Sequence, residues 1–391
     1  MTSTASGRGN RPGVRRNANS EDPMERWTES AANAWWSERP WVCGFNFLPS
    51  SAVNILEMWR RETFDLETIE RELGWAGEIG FNSVRINLHY LVWKHDRDGL
   101  LERLDSLMGV ADRHGMSTVP CLFDDCGFGG IEPLYGDQPE PVPGVHNSRA
   151  VASPGRAMLF DASERTGFEA YVRSLARAFR EDPRILFWDL YNEPGNRMLF
   201  DSEGFSVFEP DTAEASLSLM RDCFDWSRDE KPAQPLSVAA WTTPLPGTKA
   251  APYQTAIDQA ALELSDIVTF HAYWDADHVR AFIDHLSGLN RPMLCTEWMA
   301  RPIGSRIEDQ LPLYRRRDVG CFQWGLVQGR SQTTLPWPAA LVRAHGGHAD
   351  RSVWFHDILT ADGEPYDRAE TDLIASQVLI ASPTQTSTGT A

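Results

Sequence analysis

Eight short apolar runs, each followed by a longer helical pattern, constrain the fold of this chain more than any other feature. The runs are Trp41–Asn46, Ser83–Leu88, Ser117–Phe123, Ile185–Tyr191, Leu236–Trp241, Ile267–Ala272, Met293–Trp298 and Gly320–Leu326. Each is a run of Val, Ile, Leu, Phe or Trp without strict polar alternation, the pattern of parallel strands covered on both faces. Helical patterns fill the gaps at Asp65–Ile79, Gly99–His114, Gly167–Arg180, Asp211–Trp226, Gln254–Leu264, Asp275–Leu286 and Ile307–Arg317. Asp65 is a helix start signal, with Glu67 and Glu70 in the turns that follow. Gly80 and Gly115 stand where helices end just before a strand. The alternation predicts an α/β fold, a single (β/α)8 TIM barrel closed by a last helix near Asp372–Val378. A doubly wound open sheet is the alternative, weakened because no Gly-rich phosphate fingerprint follows any strand.

The chain has 391 residues, against roughly 250 for a barrel without insertions. Three long connections take up part of the surplus: Phe47–Phe64, Asp124–Thr166 and Val327–Val353. In a barrel all three lie on the C-terminal face, where active sites are built. Residues 1–30 and 381–391 read as disordered tails flanking a barrel over 31–380, without an internal repeat or central linker. Acids outnumber bases 55 to 37, giving a net charge of -18. A surface that acidic repels phosphates, so neither nucleic acid nor an anionic membrane is an expected partner. No apolar run is long enough to span a membrane and no secretory signal is visible, so the expected location is the cytoplasm. The six cysteines (Cys43, Cys121, Cys126, Cys223, Cys295, Cys321) have no zinc-finger spacing. Four of them lie inside apolar runs, and they read as reduced core thiols.

Two apolar runs end in a glutamate. Trp188-Asp189-Leu190-Tyr191-Asn192-Glu193-Pro194 closes the fourth strand with an amide and a carboxylate side by side, and Pro194 terminates the ladder. Met293-Leu294-Cys295-Thr296-Glu297-Trp298 closes the seventh. In a closed barrel the tips of strands four and seven face each other across the mouth. Two carboxylates so placed are the equipment for cleaving a glycosidic bond, one as proton donor and one as nucleophile. The count of 15 Trp points the same way, because indole faces stack on sugar C–H faces.

With these residues in place, the chain resembles the retaining glycoside hydrolases of clan A, most closely family 5, from about Trp41 to Val327. The resemblance implies that Glu193 is the acid/base and Glu297 the nucleophile. It makes Arg85, on the second strand, the arginine that orients the nucleophile. In Phe270-His271-Ala272-Tyr273 it sets Tyr273 against the nucleophile and His271 near the acid/base. Trp324 becomes the floor of the subsite for the non-reducing sugar, and Asn192 a partner for a sugar hydroxyl. One departure stands out: the His usual near the tip of strand three is replaced by Asp124-Asp125. Asp124 and His89 are therefore candidate substrate contacts. The loop aromatics Trp59, Phe128, Tyr135 and Trp337 are candidate sugar platforms.

The resemblance implies a retaining hydrolase of β-linked glycosides, or of equivalent equatorial linkages, acting on carbohydrate without cofactor or metal. The long loops suit a pocket and exo-action on oligosaccharides or small glycosides. An endo-acting cellulase, mannanase or xylanase with an open groove is the alternative. A metal-dependent barrel is opposed by the lack of clustered histidines at strand ends. A non-catalytic carbohydrate-binding barrel is opposed by the presence of both glutamates.

Overall fold

The computed structural model describes residues 25–201, 204–244 and 248–379. The apolar runs form eight strands: β1 Cys43–Asn46, β2 Ser83–Asn87, β3 Ser117–Asp124, β4 Trp188–Asn192, β5 Leu236–Ser237, β6 Val268–His271, β7 Met293–Trp298 and β8 Gly320–Trp324. All pair in parallel, in the order β5-β4-β3-β2-β1-β8-β7-β6. The two ends meet through a parallel bridge between Ala240 and Phe270. There the Ala240 amide donates to Thr269 and its carbonyl accepts from His271, each at 3.0 Å. The sheet is thus closed into a (β/α)8 barrel, and the open-sheet alternative falls.

The fifth strand is shorter than its apolar run. The Val238 amide is taken by the Ser265 hydroxyl at 3.0 Å instead of a β6 carbonyl, so the ladder lapses and resumes only at Ala240. The helices follow their start and stop signals closely. Asp65 caps the helix Leu66–Ile79 by accepting from the Thr68 amide, and Gly80 ends it at φ 106, a backbone shape that side chains disfavour. The closing helix runs over Arg368–Leu379.

One helix is not foreshadowed by the strand pattern. Glu29–Ser37, capped by the Thr28 hydroxyl, lays Trp35 and Trp36 against the barrel. The Trp36 indole donates to Asp318 at 2.8 Å, beside the start of β8. Arg26 donates to the Ser265 and Leu262 carbonyls at 2.7 and 2.9 Å. Residues 26–30 of the tail expected over 1–30 are therefore held against the barrel. The tail's first 24 residues, like the tail expected at 381–391, lie outside the described residues. All six cysteines are free, and all but Cys126 are buried. No helix among the described residues is long and apolar enough to cross a membrane.

Local devices at the C-terminal ends of β3, β4 and β7 aim the side chains of interest. Beyond β4, Glu193 has φ 42, a left-handed conformation. Asp125 pins the turn that follows: its carboxylate accepts from Tyr191 at 2.8 Å, from the Gly195 amide at 2.6 Å and from Ser216 at 2.6 Å. Burial pushes this carboxyl up to about 6. In β7, Cys295 pairs with Phe270 but Glu297 with the next residue, His271, leaving Thr296 as a bulge. The same shift recurs against β8, where Cys321 and Gln323 oppose Cys295 and Trp298. A bulge bends its strand and re-aims the side chain beside it, here Glu297. The carbonyl of Thr296 accepts from the Asn46 side-chain Nδ2 at 2.8 Å, which fastens the bulge to β1.

Candidate active site

Arg85 is the hub of the barrel mouth. Its guanidinium bonds Asp189 at 2.8 Å, Glu297 Oε1 at 2.9 Å, Asn46 Oδ1 at 2.6 Å and Asn192 Oδ1 at 2.7 Å. It thereby joins β1, β2, β4 and β7. Desolvating such a cation costs several kcal/mol, and two carboxylates with two amide oxygens offset that cost. Asn192 is held at both ends, since its Nδ2 donates to Asp124 Oδ1 at 2.9 Å. Asp124 in turn accepts from Asn87 at 2.8 Å and from the Cys126 amide at 2.8 Å.

The two glutamates share a small space. His271 Nδ1 lies 2.8 Å from Glu193 Oε1 and 3.6 Å from Glu297 Oε2. Oxygens of the two carboxyl groups and a His271 ring nitrogen all fall within 4.8 Å of one another. Tyr273 donates to Glu297 Oε2 at 2.9 Å. Glu193 Oε2 accepts from Asn196 at 2.6 Å and from the Cys126 thiol at 3.1 Å.

Burial pushes both carboxyl groups up from their usual range. The opposing forces differ. Glu297 has a fixed cation in direct contact, whereas every hydrogen-bond donor on Glu193 is neutral. The ionised form is therefore better supported at Glu297 than at Glu193. Burial pushes His271 down to about 4, so the ring is neutral. Its Nε2 is buried without a partner. An unpaired lone pair costs less than an unpaired N–H, which places the proton on Nδ1, facing the carboxylates.

Glu193, His271 and Glu297 are the one group of potential metal donors gathered among the described residues. The Arg85 cation and the Tyr273 hydroxyl already occupy the Glu297 oxygens. A divalent ion there would meet a guanidinium at bonding distance from one of its own ligands, so the donor set does not fit one.

The structure gathers most of the residues singled out in the sequence around a single cavity of about 260 Å³: Arg85, Asp124, Asn192, Glu193, His271, Tyr273, Glu297 and Trp324. Phe128 and Trp337 line it as well. Two candidate substrate contacts do not reach it. His89 is wholly buried, and its Nδ1 accepts from the Leu91 amide to cap the helix Tyr90–His95. Trp59 is also wholly buried, stacked on Phe64 with its indole bonded to the Asn87 carbonyl at 2.7 Å. Tyr135 instead stacks on His95, with centroids 4.2 Å apart.

Asn46, Asp189, Cys126, Asn196, His146 and His356 were missed. Asn46 and Asp189 end or interrupt apolar runs as lone polar residues, and that is the one signal by which they were open to detection. The others sit in irregular loops where no period marks them.

The long loops meet above the cavity. His146 Nδ1 bonds the Leu335 carbonyl at 2.7 Å, the Asn147 amide donates to Ser331 at 2.9 Å, and Gln332 donates to Val142 at 2.8 Å. Arg330 pairs with Glu57 at 2.7 Å, tying the loop after β8 to the one after β1. A hairpin, Met198–Phe200 with Phe205–Val207, follows β4, and Phe200 stacks on Phe128 at 4.5 Å.

The chain matches no protein-family model and no curated protein. Solved structures do resemble it. GH5_18 from Streptomyces cattleya in complex with GlcNAc is 16% identical with a TM-score of 0.55, over 86% of this chain and 80% of that one. The exo-beta-1,4-mannosidase from Opitutaceae bacterium strain TAV5 is 15% identical with a TM-score of 0.54, over 86% and 59%. The endo-1,4-beta-mannanase from Rhizomucor miehei is 12% identical with a TM-score of 0.55, over 87% and 94%. At these identities the likeness is one of fold, and it places the chain among the (β/α)8 barrels whose solved examples include these glycoside hydrolases.

Proposed function

We propose that the protein is a retaining β-glycosidase of the clan A type, with Glu297 as nucleophile and Glu193 as acid/base. The observation that carries the reading is the closeness of the two carboxyl groups, with oxygens within 4.8 Å of each other across the barrel mouth. Retaining enzymes hold their carboxyl groups roughly 5–5.5 Å apart, whereas inverting ones need roughly 6.5–9.5 Å to admit a water.

Glu297, kept ionised by Arg85 and oriented by Tyr273, attacks the anomeric carbon while Glu193 protonates the departing oxygen. The covalent intermediate neutralises Glu297, which removes a negative charge beside Glu193 and lowers its proton affinity. Glu193 then takes a proton from water, and that water releases the sugar with its configuration retained.

The joined loops support exo-action. The loops after β1, β3 and β8 are tied to one another, which suits a closed pocket better than an open groove. The charged groups lining the cavity are Arg85, Asp124, Glu193 and Glu297. The single cation among them is fully engaged, so a neutral sugar fits the site better than an anionic one.

The test is incubation with 2-deoxy-2-fluoro β-glycosides of the manno, gluco, galacto and xylo series, followed by peptide mapping. Mannose heads the panel because two of the similar solved structures are a mannosidase and a mannanase. A glycosyl adduct on Glu297 is the expected result. An adduct on another residue overturns the assignment of roles. No adduct, together with no hydrolysis of the parent aryl glycosides, favours the non-catalytic binding barrel. Internal cleavage of a β-linked oligosaccharide would replace exo-action by endo-action.

A further inference from the structure

Glu193 is faced by titratable and charged groups from every side. Asp124 and Cys126 approach from the β3 end, Arg85 from β2, His271 and Tyr273 from β6, and Glu297 from β7. Asp258 adds its charge from the helix Ala256–Leu264. Within hydrogen-bond distance of its carboxylate stand three donors: His271, Asn196 and Cys126.

The thiol of Cys126 is held more firmly than a loop side chain usually is. Its own amide is tied to Asp124 at 2.8 Å. Its sulfur accepts from Asn192 Nδ2 at 3.4 Å and from Asn196 Nδ2 at 3.5 Å. With two N–H groups directed at the sulfur, the S–H is left to point at Glu193 Oε2, 3.1 Å away. Burial and the neighbouring carboxylates push the thiol well above its usual range, so it keeps its proton and acts as a donor.

We infer that Cys126 is a positioning residue for the acid/base: its S–H stabilises the ionised form of Glu193 and sets the proton affinity with which that carboxyl enters each half-reaction. The inference rests on the assignment of Glu193 as acid/base. A thiol is a weak donor, so it lowers the proton affinity of Glu193 less than a hydroxyl would. Removing it leaves Glu193 Oε2 with Asn196 alone and favours the protonated form.

The experiment compares C126A and C126S with the unmodified protein, after each has been tested for labelling of Glu297 by the 2-fluoro glycosides. Labelling establishes that a variant is folded and that the underlying reading holds. The pH dependence of kcat/KM is then measured on the phenyl β-glycoside of the sugar that labels fastest, a substrate whose leaving group needs protonation. For C126A the alkaline limb moves to higher pH by about one unit. For C126S, which keeps a donor, it stays at or below its original position. If both variants lose rate while the limb stays in place, Cys126 only packs and the inference is overturned. If the unmodified protein is not labelled at Glu297, the reading beneath it fails, and that result is distinct from a failure of the cysteine's role.

Discussion

Arg85 on β2 and Asp189 on β4 form an ion pair at 2.8 Å with their side chains 1% and 0% exposed. Asp189 lies four residues before Glu193 and has no place in the cavity lining. It acts through Arg85, whose remaining donors hold Asn46, Glu297 and Asn192. A buried cation deprived of one partner is expensive, so Asp189→Ala should lower stability by about 3 kcal/mol, read from urea unfolding. A loss under about 1 kcal/mol would mean that Glu297 alone compensates the guanidinium.

The two glutamates should separate by leaving group. Glu193→Ala should slow a phenyl glycoside by about 10²–10⁴-fold but a dinitrophenyl glycoside far less, because a good leaving group needs no proton. Azide should restore part of the rate by entering the space of the lost carboxylate. Glu297→Ala should lose about 10⁴-fold or more on both substrates. Equal losses on both substrates for Glu193→Ala would exchange or void the roles.

Trp337 lines the cavity and packs edge-on against Tyr273 at 5.1 Å. Trp337→Ala should raise KM about tenfold, corresponding to roughly 1–1.5 kcal/mol of aromatic contact, with kcat reduced less. A fall in kcat alone would indicate that Trp337 only steadies Tyr273.

Glu72 is a pH-dependent burden on stability. It is fully buried beneath Ser50, whose amide donates to it at 3.1 Å, and burial pushes its carboxyl up to about 7. The folded state therefore holds a proton that the unfolded chain releases above about pH 4.3. Stability from this group is fully present below that pH and is lost as pH rises towards about 7. Relative to Glu72→Gln, which keeps the shape without titrating, the unmodified protein should lose a few kcal/mol between pH 4.5 and 8, measured by denaturant unfolding at each pH. A constant difference between the two proteins would show that Glu72 is already ionised at the lower pH.

Much of the barrel was legible because strand and helix signals are local. Met293–Trp298 reads as a strand from its composition alone, and Asp65 and Gly80 mark the ends of their helix through short-range capping. Glu193 and Glu297 were legible as candidates for a related reason, since a glutamate closing an apolar run stands out from it. Asp124 and Asp125 illustrate the limit. As adjacent letters they look alike, yet Asp124 faces the cavity and positions Asn192, while Asp125 turns away to hold the Gly195 turn. His89 and Trp59 show the same limit from the other side: both residue types suit sugar contacts, but each is consumed by a neighbouring backbone group.

By itself, then, the sequence determined the element order, the parallel character of the strands and the pair of carboxylate-bearing strand ends, because each depends on patterns within one turn or one strand, whereas closure of the sheet rests on the Ala240–Phe270 bridge. The tertiary structure alone decided the Thr296 bulge that aims Glu297, the Arg85–Asp189 pair, the Cys126 contact with Glu193 and the joining of the loops. These depend on register and on partners dozens to hundreds of residues away. Which donor meets which acceptor is settled only when the barrel closes and every buried polar group must find a partner.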